Sequence, residues 1–244
     1  MNATDMDTNI LERAESALNA VARIDVRTTP VAIYFSDGAL TAEGELPDVA
    51  AKKLALEALA AVPGVRGIVD RLHITPAEHM EDGEIRDLVR NALLQDPALT
   101  NIALYEMVKG DRLVVRDTAY AGLNSITITV EHGIVTLDGD VPGLAQKRLA
   151  GVLAWWVPGS RDVINGIAVT PPEEDSDEEI TEAVRIALEK DPFVNAGQVR
   201  VHTRNSEVVL DGFVPSEPEK DMAEFDAWYV FGVDRVDNRI EVAS

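Results

Sequence analysis

A chain of 244 residues that is 46% hydrophobic and 27% charged has the composition of a folded soluble protein, not of low-complexity disorder. It contains no cysteine, which excludes disulfides and thiolate chemistry. Its 43 acidic and 22 basic residues give a formal charge of −21, a field that repels nucleic-acid phosphates and anionic lipid headgroups.

The opening residues, MNATDMDTNILERAES, show no basic region leading into an apolar run and no small-residue cleavage site. Nowhere is the chain apolar for the length of a bilayer span. The expected compartment of the chain as it stands is the cytoplasm. The first helical pattern is ILERAESALNAVA, followed by a strand pair turning at Asp37-Gly38 and ending in LTAEGELP (40–47). Pro47 is placed to open a second helix, with Leu54, Ala58 and Leu59 on its buried face. Gly64 should supply a left-handed cap, as should Gly159 and Gly232 in the later copies, and VRGIVDRLHI (65–74) reads as a closing strand.

The same order then recurs. EIRDLVRNALLQDP (84–97) is a helix that its Asp-Pro pair should end, and EITEAVRIALEKDP (179–192) repeats it 95 residues later. In the third copy Ile180, Ala183, Val184, Ala187 and Leu188 form one apolar stripe, and Ser176 with Glu179 fits a capping box. Hairpins are expected at His132-Gly133 and Asn205-Ser206, the second strands ending in VTLDGDVP (135–142) and VVLDGFVP (208–215). Pro142 and Pro215 open the next helices; Leu149, Val152 and Leu153 line the first of these. The glycines keep one spacing throughout: Gly44, Gly139 and Gly212 are each followed 20 residues later by Gly64, Gly159 and Gly232.

The resulting expectation is an α+β protein of three tandem αββαβ modules, at 1–75, 82–170 and 176–244. Each should be a small three-stranded sheet covered on one face by two helices. The junctions, ITPAEHMEDG (74–83) and VTPPEEDSDE (169–178), read as solvated acidic connectors; they lack the ligand spacing of a calcium loop. Between Asp96 and Gly139 the second copy has 22 residues more than the third, within 103–124. There YEMV and RLVV flank Lys109-Gly110-Asp111 as a further hairpin carrying a basic cluster, Lys109, Arg112 and Arg116.

These modules resemble the BON family of bacterial osmotic-shock and nodulation domains. The resemblance rests on Ala187-Leu188 with Asp191-Pro192, on Val208 to Val214 around Gly212, and on Gly232-Val233. Copy two has Ser160 after its glycine, and copy one lacks the Asp-Pro pair. It implies a role in osmotic or other envelope stress and contact with phospholipid surfaces. Some relatives pair such a module with another domain and bind potassium.

No catalytic constellation stands out. His73, His79, His132 and His202 form no ligand pair, and Ser125, Ser160 and Ser206 lack a nucleophile-elbow context. No cofactor or metal site is expected. Trp155-Trp156 and Trp228-Tyr229 fall at matching helix ends; one ring of each pair can face the core while its neighbour points away. The candidate interaction surface is therefore Lys109, Arg112, Arg116, Trp156 and Tyr229. Packing between modules is the alternative for the aromatic pairs, and an ornament or a strand pairing within an oligomer is the alternative for the insertion. The sequence reads as a stress-related binding or scaffolding protein, not an enzyme. It would hold a protein partner, another copy of itself or a phospholipid surface, but not nucleic acid. A sensor for a small ligand or a potassium-type cation is the alternative.

Overall fold

The computed structural model describes residues 3–25, 27–118 and 124–243, with the backbone alone at 3–6. Residues 119–123, the end of the expected insertion, lie outside the described part. The chain divides into two compact units, 1–75 and 76–244.

In the first unit α1 (Ala3–Asn19) and α2 (Val49–Ala60) lie with the strands β1 (Val31–Ser36), β2 (Ala39–Leu46) and β3 (Gly67–Ile74). The sheet order is β1-β2-β3, antiparallel across the first pair and parallel across the second. Alternation puts Leu40, Ala42 and Leu46 of β2 inward, against Ala14, Leu18, Ala55 and Leu59. Asp48 caps α2 by accepting the Ala51 N–H at 2.7 Å. Leu54 and Ala58, expected on the buried face, are only half-buried; Ala51, Ala55 and Leu59 carry it.

The second unit holds two modules. One consists of α3 (Asp82–Gln95), β4 (Ala103–Val108), β5 (Asp111–Arg116), β6 (Ser125–Glu131), β7 (Ile134–Val141), α4 (Leu144–Trp155), β8 (Asp162–Asn165) and β9 (Ala168–Val169). The other consists of α5 (Asp177–Lys190), β10 (Val199–Arg204), β11 (Glu207–Val214), α6 (Glu217–Tyr229) and β12 (Arg235–Val242). Its sheet again has three strands, β10-β11-β12.

The expectation of three strands per module fails in the middle one, whose sheet has six. The insertion does form a hairpin, turning at Lys109-Gly110, but it is built into the sheet: β4 pairs with β6 in parallel, and β5 becomes the outer strand. The sheet tolerates this because β6, like its counterparts β1 and β10, leaves one edge unpaired by its own hairpin partner.

Two local devices explain why these sequences fold this way. Residues at both turn positions have positive φ, at Asp37-Gly38, Lys109-Gly110, His132-Gly133 and Asn205-Ser206, the twist that two-residue hairpins require. In the second and third copies the first residue of the leading helix then clasps the turn of its own module. Asp82 accepts the His132 and Gly133 N–H groups, and Asp177 accepts those of Asn205 and Ser206 at 2.8 and 2.9 Å.

Those two amides hold the Asp177 carboxyl below its ordinary value of 3.8. A depressed folded value means that the contribution is complete above 3.8 and is lost as pH falls through the lower folded value. Asp177→Ala is thus expected to lower the melting temperature of the second unit at pH 7 and to lower it less at pH 2. Thermal scans at the two pH values check this.

The repeat glycines divide by function. At Gly139 and Gly212 φ is +131° and +151°, and an added Cβ would lie 2.1 Å from the Ser125 carbonyl oxygen or 2.0 Å from that of Gln198. Gly64 and Gly232 have the expected positive φ, +100° and +94°. Gly159 does not: there the need is space, since a Cβ would approach Met80 Cβ to 2.7 Å and Ile85 to 2.9 Å.

Candidate functional site

Helix α4 is buried along nearly its whole length, in contrast to an ordinary amphipathic helix with one solvated face. Leu149, Ala150, Leu153 and Ala154 belong to the core of their own module, whereas Val152 belongs to the core built around Val184, Leu188, Leu210 and Ala227 of the next. Trp156 packs against both. One helix therefore serves two cores.

Charged and aromatic residues complete this contact. Arg148, with 2% of its surface exposed, pairs with Asp175 and donates from Nε to the Phe231 carbonyl at 2.9 Å. Lys190 Nζ reaches Asp96 Oδ2 at 2.7 Å. Trp156 Nε1 donates to Asp226 Oδ1 at 2.7 Å. Trp155 stacks on Tyr229 with ring centroids 5.7 Å apart, and the Lys147 ammonium lies 4.4 Å from the centre of the Phe231 ring. Burial and the loss of hydration, followed by the charge of Arg148, lower the Lys147 ammonium from its ordinary 10.5.

The connector between these modules is exposed through residues 170–175, as its reading as a solvated linker expects, but Glu173 and Asp175 tie it to α4. Gly143 at the start of α4 has no side chain to cap the helix, unlike Asp48 and Ser216 at the equivalent starts. Glu173 substitutes, accepting the Leu144 N–H at 2.8 Å. Beside it runs a groove of about 440 Å³ between α4 and α5. Its walls are mostly apolar (Leu149, Val152, Ala183 and Ile186 among them), with Glu173, Glu179 and Glu182 among its polar groups and Arg148 and Lys190 also lining it. That volume is within the range of small-molecule sites.

The expected surface residues are not brought together. Trp156 and Tyr229, read as possible outward contacts, are instead spent on the contact between the two modules. The basic cluster also dissolves. Arg116 turns inward, donating to the carbonyls of Leu94, Leu99 and Ile102, and loss of water lowers its pKa from the ordinary guanidinium value. Arg112 lies over the Tyr105 ring at 3.6 Å, and only Lys109 stays at the hairpin tip. Beside the exposed Lys109, Asp111 and Arg112, the insertion also exposes two apolar side chains: Leu113 and Val114 of the outer strand are 45% and 65% accessible.

The histidines are dispersed. His132 sits in the hairpin turn held by Asp82, and His202 lies on β10 opposite Val209. Among the described residues, no three His, Asp or Glu side chains are grouped closely enough to hold a metal ion. Nor is any helix among them long and apolar enough to cross a membrane.

Repeated αββαβ units, two of them fused through a shared helix beside a ligand-sized groove, define a class of tandem-module α+β protein. Comparison with known proteins makes this specific. The BON domain family model matches at 6–76, 81–171 and 176–244, and the chain belongs to that family. It is similar to the osmotically inducible protein Y of Escherichia coli (strain K12), 29% identical over 154 residues covering 61% of this chain and 73% of the relative.

Two solved structures of CdsD, a structural protein of the type III secretion system of Chlamydia trachomatis, are similar at 15% and 16% identity. One is its C-terminal domain, with full coverage of both chains; the other covers 96% of this chain and 92% of that one. Both have a TM-score of 0.25, too low to bear on the fold.

Proposed function

We propose that this is a non-enzymatic, stress-related binding protein that assembles with a second copy of itself through the outer strand β5. The observation that carries the reading is that edge: among the described residues β5 pairs only with β4, and Leu113 and Val114 are exposed. An unpaired apolar edge is a template for another strand. The stress role rests on family membership and on the similarity to an osmotically inducible protein. The compartment in this reading is the cytoplasm, which cell fractionation tests.

Sedimentation velocity of the whole chain should show a concentration-dependent dimer, and Val114→Pro, which removes an edge N–H, should give a monomer with an unchanged melting profile. A wild-type monomer at every concentration would end this reading. Co-sedimentation with anionic vesicles of a monomeric wild type would move the edge's partner to phospholipid.

The groove favours a second reading, a small-ligand or cation sensor, because its carboxylates stand beside an apolar wall. A thermal shift with potassium that sodium does not reproduce supports it.

A further inference from the structure

Asp226 is placed where a charge is hard to keep. It is 2% exposed, Oδ1 accepts from Trp156, and Oδ2 has no hydrogen-bond partner. The group acting on it from α5 is another buried carboxyl, Asp191, 8% exposed, whose Oδ1 already accepts the Phe193 N–H at 2.8 Å. The cations of α4 are engaged elsewhere, Arg148 with Asp175 and the Phe231 carbonyl, Lys147 over the Phe231 ring. From the sheet, α6 faces Val208, Leu210, Val214 and Ile240, which offer no compensating charge. Lys190, the cation next to Asp191 at the end of α5, is paired with Asp96, so Asp226 is left beside a second buried carboxyl and its ionisation is costly.

We propose that Asp226 is held protonated beside Asp191, and that this proton clamps the third module onto Trp156 of the second, so that the contact tightens in acid and loosens as pH rises. The electrostatics agree with the geometry. Burial foremost, then the neighbouring Asp191, raises the Asp226 carboxyl from 3.8 to about 8, and the Trp156 hydrogen bond only partly offsets this. An opened, hydrated Asp226 ionises near 3.8, the closed one near 8. The clamp is therefore complete below 3.8, weakens through the interval, and is exhausted above 8. Within the interval each pH unit favours opening by about tenfold. This is opposite in sign to Asp177, whose clasp acid removes.

The test is hydrogen exchange of the Trp156 indole N–H in the full chain, read by NMR and expressed as a protection factor against intrinsic exchange. The signal is assigned with Trp156→Phe among the three tryptophans. Wild-type protection should fall about tenfold per pH unit between pH 5 and 8. Asp226→Asn keeps the Oδ1 acceptor and supplies a permanent N–H toward Asp191, so its protection should be high and flat. Asp191→Asn removes the like charge and should move the fall to lower pH, which serves if the first variant does not fold. A flat wild-type profile, or the same slope with and without the Asp226 carboxyl, overturns the proposal.

Discussion

Gly139→Ala is expected to abolish the cooperative unfolding transition of residues 76–244 while leaving that of residues 1–75 in place. The methyl would lie 2.1 Å from the Ser125 oxygen and 2.9 Å from its carbon, both backbone atoms of the paired strand β6. A flexible side chain could swing away; a carbonyl inside a ladder cannot, because Ile126 opposite Gly139 is buried on the helix side. The φ of +131° adds strain for any residue with a Cβ. Clash and strain together should exceed about 4 kcal/mol, comparable with the whole stability of many domains. The third module should fail with the second, since Val152 and Trp156 would leave its core. Urea titration followed by tryptophan fluorescence and far-ultraviolet circular dichroism separates the units, because all three tryptophans, Trp155, Trp156 and Trp228, lie in the second. A single wild-type-like fluorescence transition in the variant would refute the argument.

Arg148→Ala should destabilise the second unit by about 3 kcal/mol. Three losses combine: the packing of the largest fully buried side chain, the pair with Asp175, and the donor to the Phe231 carbonyl. Arg148→Met separates them. It keeps most of the volume, and Asp175, whose side chain is 38% exposed, can return to water. The methionine variant should therefore lose clearly less, about half as much. Equal losses in the two variants would mean that charge and hydrogen bonding, not packing, dominate. The measurement is the shift in urea midpoint at constant slope.

The order of elements was legible because its signals are local. Turn residues, the opening prolines and the repeated glycines each constrain φ or remove an N–H within a few residues of where they act. The Ser176 cap, accepting the Glu179 N–H at 3.2 Å, is of that kind. The fusion of the second and third modules was not legible, because Trp156–Asp226, Lys190–Asp96 and Arg148–Phe231 join residues 70, 94 and 83 positions apart. Two traces of it were nonetheless present. LAQKRLAGVLAW is apolar around too much of its circumference for a helix covering one sheet, and it begins at Gly143 where its counterparts begin at Asp48 and Ser216. Asp96 and Asp191 were read only as helix stops; each also accepts the N–H two residues on, Asp96 is bonded through its other oxygen to Lys190 of the next module, and Asp191 neighbours Asp226 of α6. The arginines of the insertion misled because charge says nothing about direction, and Arg116 found three carbonyls closer than water.

The helix shared between two cores also bears on how such a chain can be cut, copied or recombined. The repeat has a period of one module, but the smallest piece that keeps its apolar surface covered in the second half is a pair. A duplication or deletion break after the second copy would strand Val152 and Trp156 in solvent, whereas a break between the two compact units leaves each core whole. The unit of inheritance and of engineering in the second half is the doublet, and libraries that shuffle single copies across that junction should yield insoluble chains.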